Sequence, residues 1–293
     1  MICVVSHDAG GAEIISSYIR QEGLECLYVL DGPAIKIFNR KLGKLKNNKL
    51  EDVIDNVDWI LCGTSWQSDL EWDAINLAKK SNIKSIAYLD HWVNYPARFI
   101  RKGITCLPNE IWAGDKYSEK IARNIFPDVS IKLEDNAYFK DIKREIVDID
   151  ESDNAIRTGV RALYVCEPIR EYALSEYGDE NYWGYVEEDA LRYFLDNIQL
   201  LNESVESLLV RPHPSESIDK YDGIISEYDL PVSRGGDKTL FEEVAESDIV
   251  VGCESMAMVI GLLAGKRVVS CIPPEGKECE LPQPEIELLT SLS

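Results

Sequence analysis

Residues 247–269 read SDIVVGCESMAMVIGLLAGKRVV, and the fold follows from their pattern. Ile249 to Gly252 is a short β-branched run, and Met256 to Ala264 is an apolar stretch of helical length closed by Gly265. Arg267 to Ile272 is a second apolar run. A strand, a helix and a strand with so little polar interruption belong to a parallel sheet covered on both faces. The terminal glycine suits a helix C-cap. Ala257, Gly261 and Ala264 are small enough to let the helix lie close on the sheet.

Working outward, the same unit recurs. In the second half, Ala162–Cys166, Ser207–Arg211 and Asp229–Ser233 read as strands, and Glu187–Leu201 and Leu240–Glu246 as helices. In the first half, strands are expected at Ile2–Val5, Cys26–Leu30, Trp59–Cys62, Ser85–Leu89 and Glu110–Ala113. Helices are expected at Ala12–Arg20, Ala34–Leu42, Leu70–Lys80 and Asp115–Ile125. Glu145–Arg157 (EIVDIDESDNAIR) is acidic and weakly patterned and reads as a linker. The expected fold class is α/β, two tandem Rossmann-like domains of doubly wound parallel sheet, over 1–150 and 158–293. A length of 293 residues suits two domains.

The chain carries 31 Lys plus Arg against 52 Asp plus Glu, a net charge of −21. Such a balance repels phosphate backbones and anionic lipid, so nucleic acid is not an expected partner. A few local basic groups still suffice to hold a small anion at short range. No apolar stretch reaches the roughly 18 residues of a membrane span, and no basic-then-apolar leader opens the chain. A cytoplasmic location without a transmembrane segment is expected. The 8 cysteines form no CxxC pair and sit in apolar runs such as ICVV and ILCG. They read as buried reduced thiols rather than a disulfide or zinc framework. No DxD pattern follows a strand, and no metal or resident cofactor is expected.

Ligands of open parallel sheets bind beyond the carboxyl ends of the strands. All 3 histidines fall there. His7 follows the first strand in HDAGGAE, His91 follows Leu89 in LDHW, and His213 follows Arg211 in RPHP. Their neighbours are Asp8, Asp90 and Arg211. The plain alternative is a solvated loop histidine. Gly10 and Gly11 let backbone N–H groups approach an anion at a helix start, although the motif is neither GxGxxG nor a Walker loop. Pro212 and Pro214 stiffen RPHP and fix the directions of Arg211 and His213, a pair suited to a phosphate. Glu254 and Ser255 open the helix of the leading motif, where Glu254 can cap the helix or accept bonds from ribose hydroxyls. EPIREYALSEYGDENYWGY (167–185) is long for a connection. Arg170 can meet a phosphate there, and Tyr182, Trp183 and Tyr185 can stack on a sugar or base; a surface excursion or homodimer contact is the other reading.

RPHP followed by SDIVVGCES, a helix and GKRVV resembles the C-terminal domain of GT-B glycosyltransferases. Nearest in pattern are bacterial capsule, lipooligosaccharide and teichoic-acid enzymes with an HP motif, both sialyltransferase-like and CDP-glycerol glycerophosphotransferase-like. The resemblance implies that His213, with Pro214 beside it, contacts the phosphate of a CMP- or CDP-linked donor. It implies that Ser255, with Glu254, holds phosphate or ribose. On this reading 158–293 binds a CMP-, CDP- or UDP-linked sugar as co-substrate, and 1–150 takes a glycan or lipid-linked acceptor. The expected activity is metal-independent glycosyl transfer in bacterial surface glycan assembly. Asp8 is the first candidate for the base, with His7 orienting or replacing it, and Asp90–His91 is the second pair. A same-fold sugar-nucleotide epimerase or hydrolase is the alternative, as is a non-catalytic nucleotide-sugar binding protein.

Overall fold

Side-chain alternation along the first strand sets the plan of the first unit. Cys3 and Val5 enter one apolar core and Val4 enters the other, the period-two signature of a strand buried on both faces. Here the protein is described by a computed structural model covering residues 1–66, 68–150 and 159–292. It divides into two units, Met1–Asp141 and Ile142–Ser293.

The first unit contains β1 (Ile2–Ser6), β2 (Cys26–Leu30), β3 (Trp59–Cys62) and β4 (Lys84–Leu89). A small antiparallel ribbon, β5 (Ile100–Arg101) and β6 (Ile104–Thr105), precedes β7 (Glu110–Ala113) and β8 (Ser130–Leu133). The six sheet strands run in the order β2-β1-β3-β4-β7-β8, every pair parallel. Helices Ala9–Glu22 and Gly32–Leu42 cover one face through Ala12, Ile15, Ala34 and Phe38. Helices Leu70–Lys80 and Lys116–Ile125 cover the other through Ala74, Ile75, Ala78 and Ala122. The chain leaves β1 for β2 on one side and returns to β3 on the other. That reversal opens a crevice beyond the carboxyl ends of β1 and β3.

The second unit contains β9 (Val160–Val165), β10 (Val205–Arg211), β11 (Val232–Arg234), β12 (Ile249–Gly252), β13 (Arg267–Ser270) and β14 (Glu287–Leu288). Their order is β11-β10-β9-β12-β13-β14, again all parallel. This is the doubly wound Rossmann order, with its reversal between β9 and β12. The α/β architecture of two Rossmann-like sheets is therefore as the sequence pattern predicts.

Local features differ from the sequence reading, and the strand expected at Asp229–Ser233 runs instead over Val232–Arg234. Helix Ala137–Asp150 occupies the first part of the expected linker Glu145–Arg157; Ile142 and Ile146, four apart, bury one face and stabilise it. The rest of that linker, 151–157, lies outside the described residues. Strand β8 buries just Ile131 of its four residues, too little alternation to recognise. The 167–185 excursion holds a helix, Ile169–Tyr177. The helix from Glu187 gives way after Asp196 to a 3-10 turn, Ile198–Leu201. All 8 cysteines are free; Cys26 and Cys279 are half-buried and the others buried.

Candidate active site

In the first unit, His7 is the first residue beyond β1 and Asp8 is the N-cap of helix Ala9–Glu22. An N-cap aspartate ordinarily accepts an N–H from the first helical turn. Asp8 makes no such bond; its Oδ1 lies 2.7 Å from His7 Nδ1. With a carboxylate as acceptor, Nδ1 carries the proton. The imidazole is seated against Gly32, whose φ is +51° and where a Cβ would come within 2.7 Å of His7 Nε2. The His7 N–H donates to Glu71 Oε1 at 2.7 Å, and the His7 carbonyl accepts the Ala34 N–H at 3.0 Å. Both backbone and ring are fixed. The side chains nevertheless stay reachable, at 24% exposure for His7 and 25% for Asp8.

Asp90, the first residue beyond β4, accepts from Arg98 Nη1 at 2.6 Å and from Thr64 Oγ1 at 3.4 Å, both on Oδ1. Its Oδ2 leans on Gly10, where a Cβ would lie at 2.3 Å. Gly10 therefore makes room for the protein's own carboxylate at the positive end of a helix. Gly11 crosses Gly63 closely, its notional Cβ 3.2 Å from the Gly63 Cα. The His91 ring rests edge-on against Trp92, centroids 5.3 Å apart. With Asp90 it lines a small crevice that includes Asp115, Ser118 and Asn136.

Glu71, which lies against the His7 backbone and Gly63, was not singled out from sequence. It is 2% exposed, and burial pushes its carboxyl up to about 7 although the His7 N–H favours the charged form. Glu71 Oε2 and Ser6 Oγ are buried without a hydrogen-bond partner among the described residues. The signal was present in the sequence. Glu71 shares the buried stripe of Ala74, Ile75 and Ala78 at helical spacing.

In the second unit, the crevice between β9 and β12 is occupied by Glu167, two residues past the end of β9. Its Oε1 accepts the Cys253 N–H at 3.0 Å and the Glu254 N–H at 2.9 Å. Burial pushes this carboxyl up to about 7; the neighbouring Glu254 carboxylate adds to the rise and the backbone donors oppose it. The strand-end criterion applied to the histidines points equally to Glu167. Ser255 caps helix Met256–Leu263, its Oγ accepting the Ala257 N–H at 3.1 Å. Glu254 does not cap the helix. It pairs with Lys277 and accepts the Glu280 N–H at 3.3 Å.

His213 Nδ1 accepts from the Ser215 N–H at 3.2 Å and lies 2.8 Å from Ser215 Oγ. Burial lowers the ring's pKa, so near neutrality it is uncharged with its proton on Nε2. Arg211 is not beside it. The guanidinium donates to Glu243 Oε2 at 2.5 Å and to the Lys238 carbonyl at 3.0 Å, because Arg211 leaves its strand toward helix Leu240–Glu246. Arg170 is likewise taken by Glu180 and Glu188, at 3.1 and 3.0 Å. Pro214 is exposed at the turn.

No known protein family matches the chain, and no curated protein matches it in sequence. Solved structures do match in fold. A UDP-GlcNAc 2-epimerase from Neisseria meningitidis, bound to UDP-GlcNAc, aligns at TM-score 0.59 and 10% identity over 92% of this chain and 81% of that one. The glycotransferase of kitacinnamycin aligns at 0.56 and 13% over 100% and 87%. An α/β-galactoside α-2,3-sialyltransferase from Photobacterium phosphoreum aligns at 0.51 and 9% over 100% and 99%. The chain shares the GT-B-type fold of two Rossmann-like domains.

Proposed function

We propose that this protein is a glycosyltransferase that uses a nucleotide-activated sugar, with 158–293 holding the donor and 1–150 the acceptor. The observation carrying the reading is that Asp8 forgoes its helix cap and bonds His7 at a strand-reversal crevice. A carboxylate steadied by an imidazole N–H and left reachable suits proton removal from an acceptor hydroxyl. His7 orients Asp8, while Asp90, tied to Arg98, shapes the crevice. In the donor unit, the Nε2–H of neutral His213 is suited to a phosphate oxygen, and Ser255 with its helix start supports the same charge. Arg211 and Arg170, already neutralised by carboxylates, are left out of the donor site.

The test is incubation with CMP-, CDP- and UDP-linked sugars, with and without a glycan acceptor. Nucleotide release accelerated by the acceptor supports transfer. Conversion independent of acceptor identifies an epimerase or hydrolase instead, and binding without turnover identifies a nucleotide-sugar binding protein. We infer a soluble cytoplasmic setting for such a reaction. Among the described residues no helix is long and apolar enough to cross a membrane.

A further inference from the structure

We propose that Glu216 and Lys220 are positioning residues for His213, and that by fixing the direction of this one imidazole they set how tightly the donor phosphate is held. The choice of ligand rests on the nucleotide-sugar reading; the positioning of the ring does not. The RPHP turn has few ways to be held. Pro212 and Pro214 have no N–H, so from 212 to 214 the His213 N–H is the sole backbone donor. It donates to Glu216 Oε2 at 2.8 Å, and the Glu216 N–H returns a bond to the His213 carbonyl at 2.8 Å. The residue that carries the ring is thereby fixed at both its N–H and its carbonyl. Ser215 turns the ring itself, its N–H and hydroxyl meeting Nδ1 and leaving Nε2 for a ligand.

Glu216 is held in turn from elsewhere in the unit. Its side chain is 2% exposed, and its Oε1 accepts from Lys220 Nζ and from the Tyr221 hydroxyl, both at 2.8 Å. Tyr221 is buried. Lys220 also pairs with the buried Glu187, whose Oε2 accepts the Arg170 N–H at 2.8 Å. Burial opposes the charge on Lys220, but its bonds to Glu187 and Glu216 outweigh that and its pKa is raised. One ammonium thus stands between two buried carboxylates, and removing it leaves both without their cation. Through Lys220 the turn is tied to the starts of helices Ile169–Tyr177 and Glu187–Asp196.

Aim matters here because little else can hold the phosphate. Arg211 and Arg170 are both neutralised by carboxylates, so the single Nε2–H carries a larger share of the contact. A hydrogen bond weakens steeply once its angle falls below about 120°, and a turn released from Glu216 lets the ring swing through that range. The network also contributes to folding. The two roles separate when His213 is removed.

The experiment is titration calorimetry of the full chain with CMP, CDP and UDP, run as a double-mutant cycle. Glu216→Gln keeps the size of the side chain but sets an amide N–H₂ against the donors around it. It should weaken the tightest-binding nucleotide roughly tenfold or more when His213 is present. In the His213→Ala background it should change affinity by less than about threefold, because a residue acting through His213 has nothing left to aim. Lys220→Met should behave in the same way, and Lys220→Arg should restore affinity to within about threefold of wild type. Equal weakening with and without His213 overturns the proposal, as does wild-type affinity in Glu216→Gln. Should that variant not fold, Tyr221→Phe removes one bond to the same carboxylate and enters the same cycle, with weakening of about threefold or more expected only when His213 is present. Long-range nitrogen–proton spectra of the 3 imidazoles read the ring directly. Wild-type His213 should show the Nε2–H tautomer, and Glu216→Gln a mixture of tautomers. An unchanged His213 spectrum in Glu216→Gln overturns the positioning. A changed spectrum, with nucleotide affinity unaltered in His213→Ala or with no nucleotide bound, would keep the positioning and reject the phosphate contact.

Discussion

Replacing Glu71 by Gln tests whether a buried carboxyl sets the pH response of the first unit. Glutamine keeps the size of the side chain and the oxygen that receives the His7 N–H, but cannot ionise. In the folded protein the Glu71 carboxyl is raised from 4.5 to about 7, chiefly by burial. Below pH 4.5 the folded and unfolded chains both hold the proton, and the shift contributes nothing. Between 4.5 and 7 the folded chain binds a proton that the unfolded chain has released, so stability falls as pH rises. Above 7 both forms are ionised and the full cost is present. At about 1.4 kcal/mol per unit, the wild type loses roughly 3 kcal/mol across this window. The Gln variant does not. Urea unfolding followed by tryptophan emission reads the correct unit, since Trp59, Trp66, Trp72, Trp92 and Trp112 lie within Met1–Asp141. The stability difference between variant and wild type should widen by about 3 kcal/mol between pH 4.5 and 8. Parallel curves across that range would refute a neutral Glu71.

Three further outcomes follow from the geometry. Asp8→Asn should lower turnover by roughly 10²–10⁴ with donor affinity nearly intact, as expected of a base acting in the transition state; loss of donor affinity in a binding titration would make the loop a donor contact. His213→Ala should weaken nucleotide binding by about 1.5–3 kcal/mol, the scale of a hydrogen bond to a charged group, and unchanged calorimetric affinity would leave His213 a structural residue. Gly32→Ala places a side chain at φ +51° against His7 Nε2, so it should cost about 1–2 kcal/mol of stability in urea titration and lower turnover by displacing the imidazole. Wild-type values for both would show that His7 is not held by this seat.

The sequence by itself determined the two Rossmann-like sheets. Their strands are buried on both faces, and that condition writes continuous apolar runs into the chain, as in Ile249–Gly252 and Trp59–Cys62. It also placed His7, Asp8, Asp90 and His213 at strand ends, because topology alone puts the residues after a parallel strand in the ligand crevice. Elements with one buried side chain, such as β8, left no pattern to read. Tertiary structure decided the pairings. Whether Arg211 faces a phosphate or Glu243, and whether Asp8 caps its helix or turns to His7, depends on groups 32 residues away in the one case and adjacent in the other. Periodicity carries no information on either choice. The raised carboxyls of Glu71 and Glu167 likewise depend on desolvation by the surrounding protein, a three-dimensional quantity. Sequence spacing supplies the candidates, and packing decides which of them stay charged, paired or reachable.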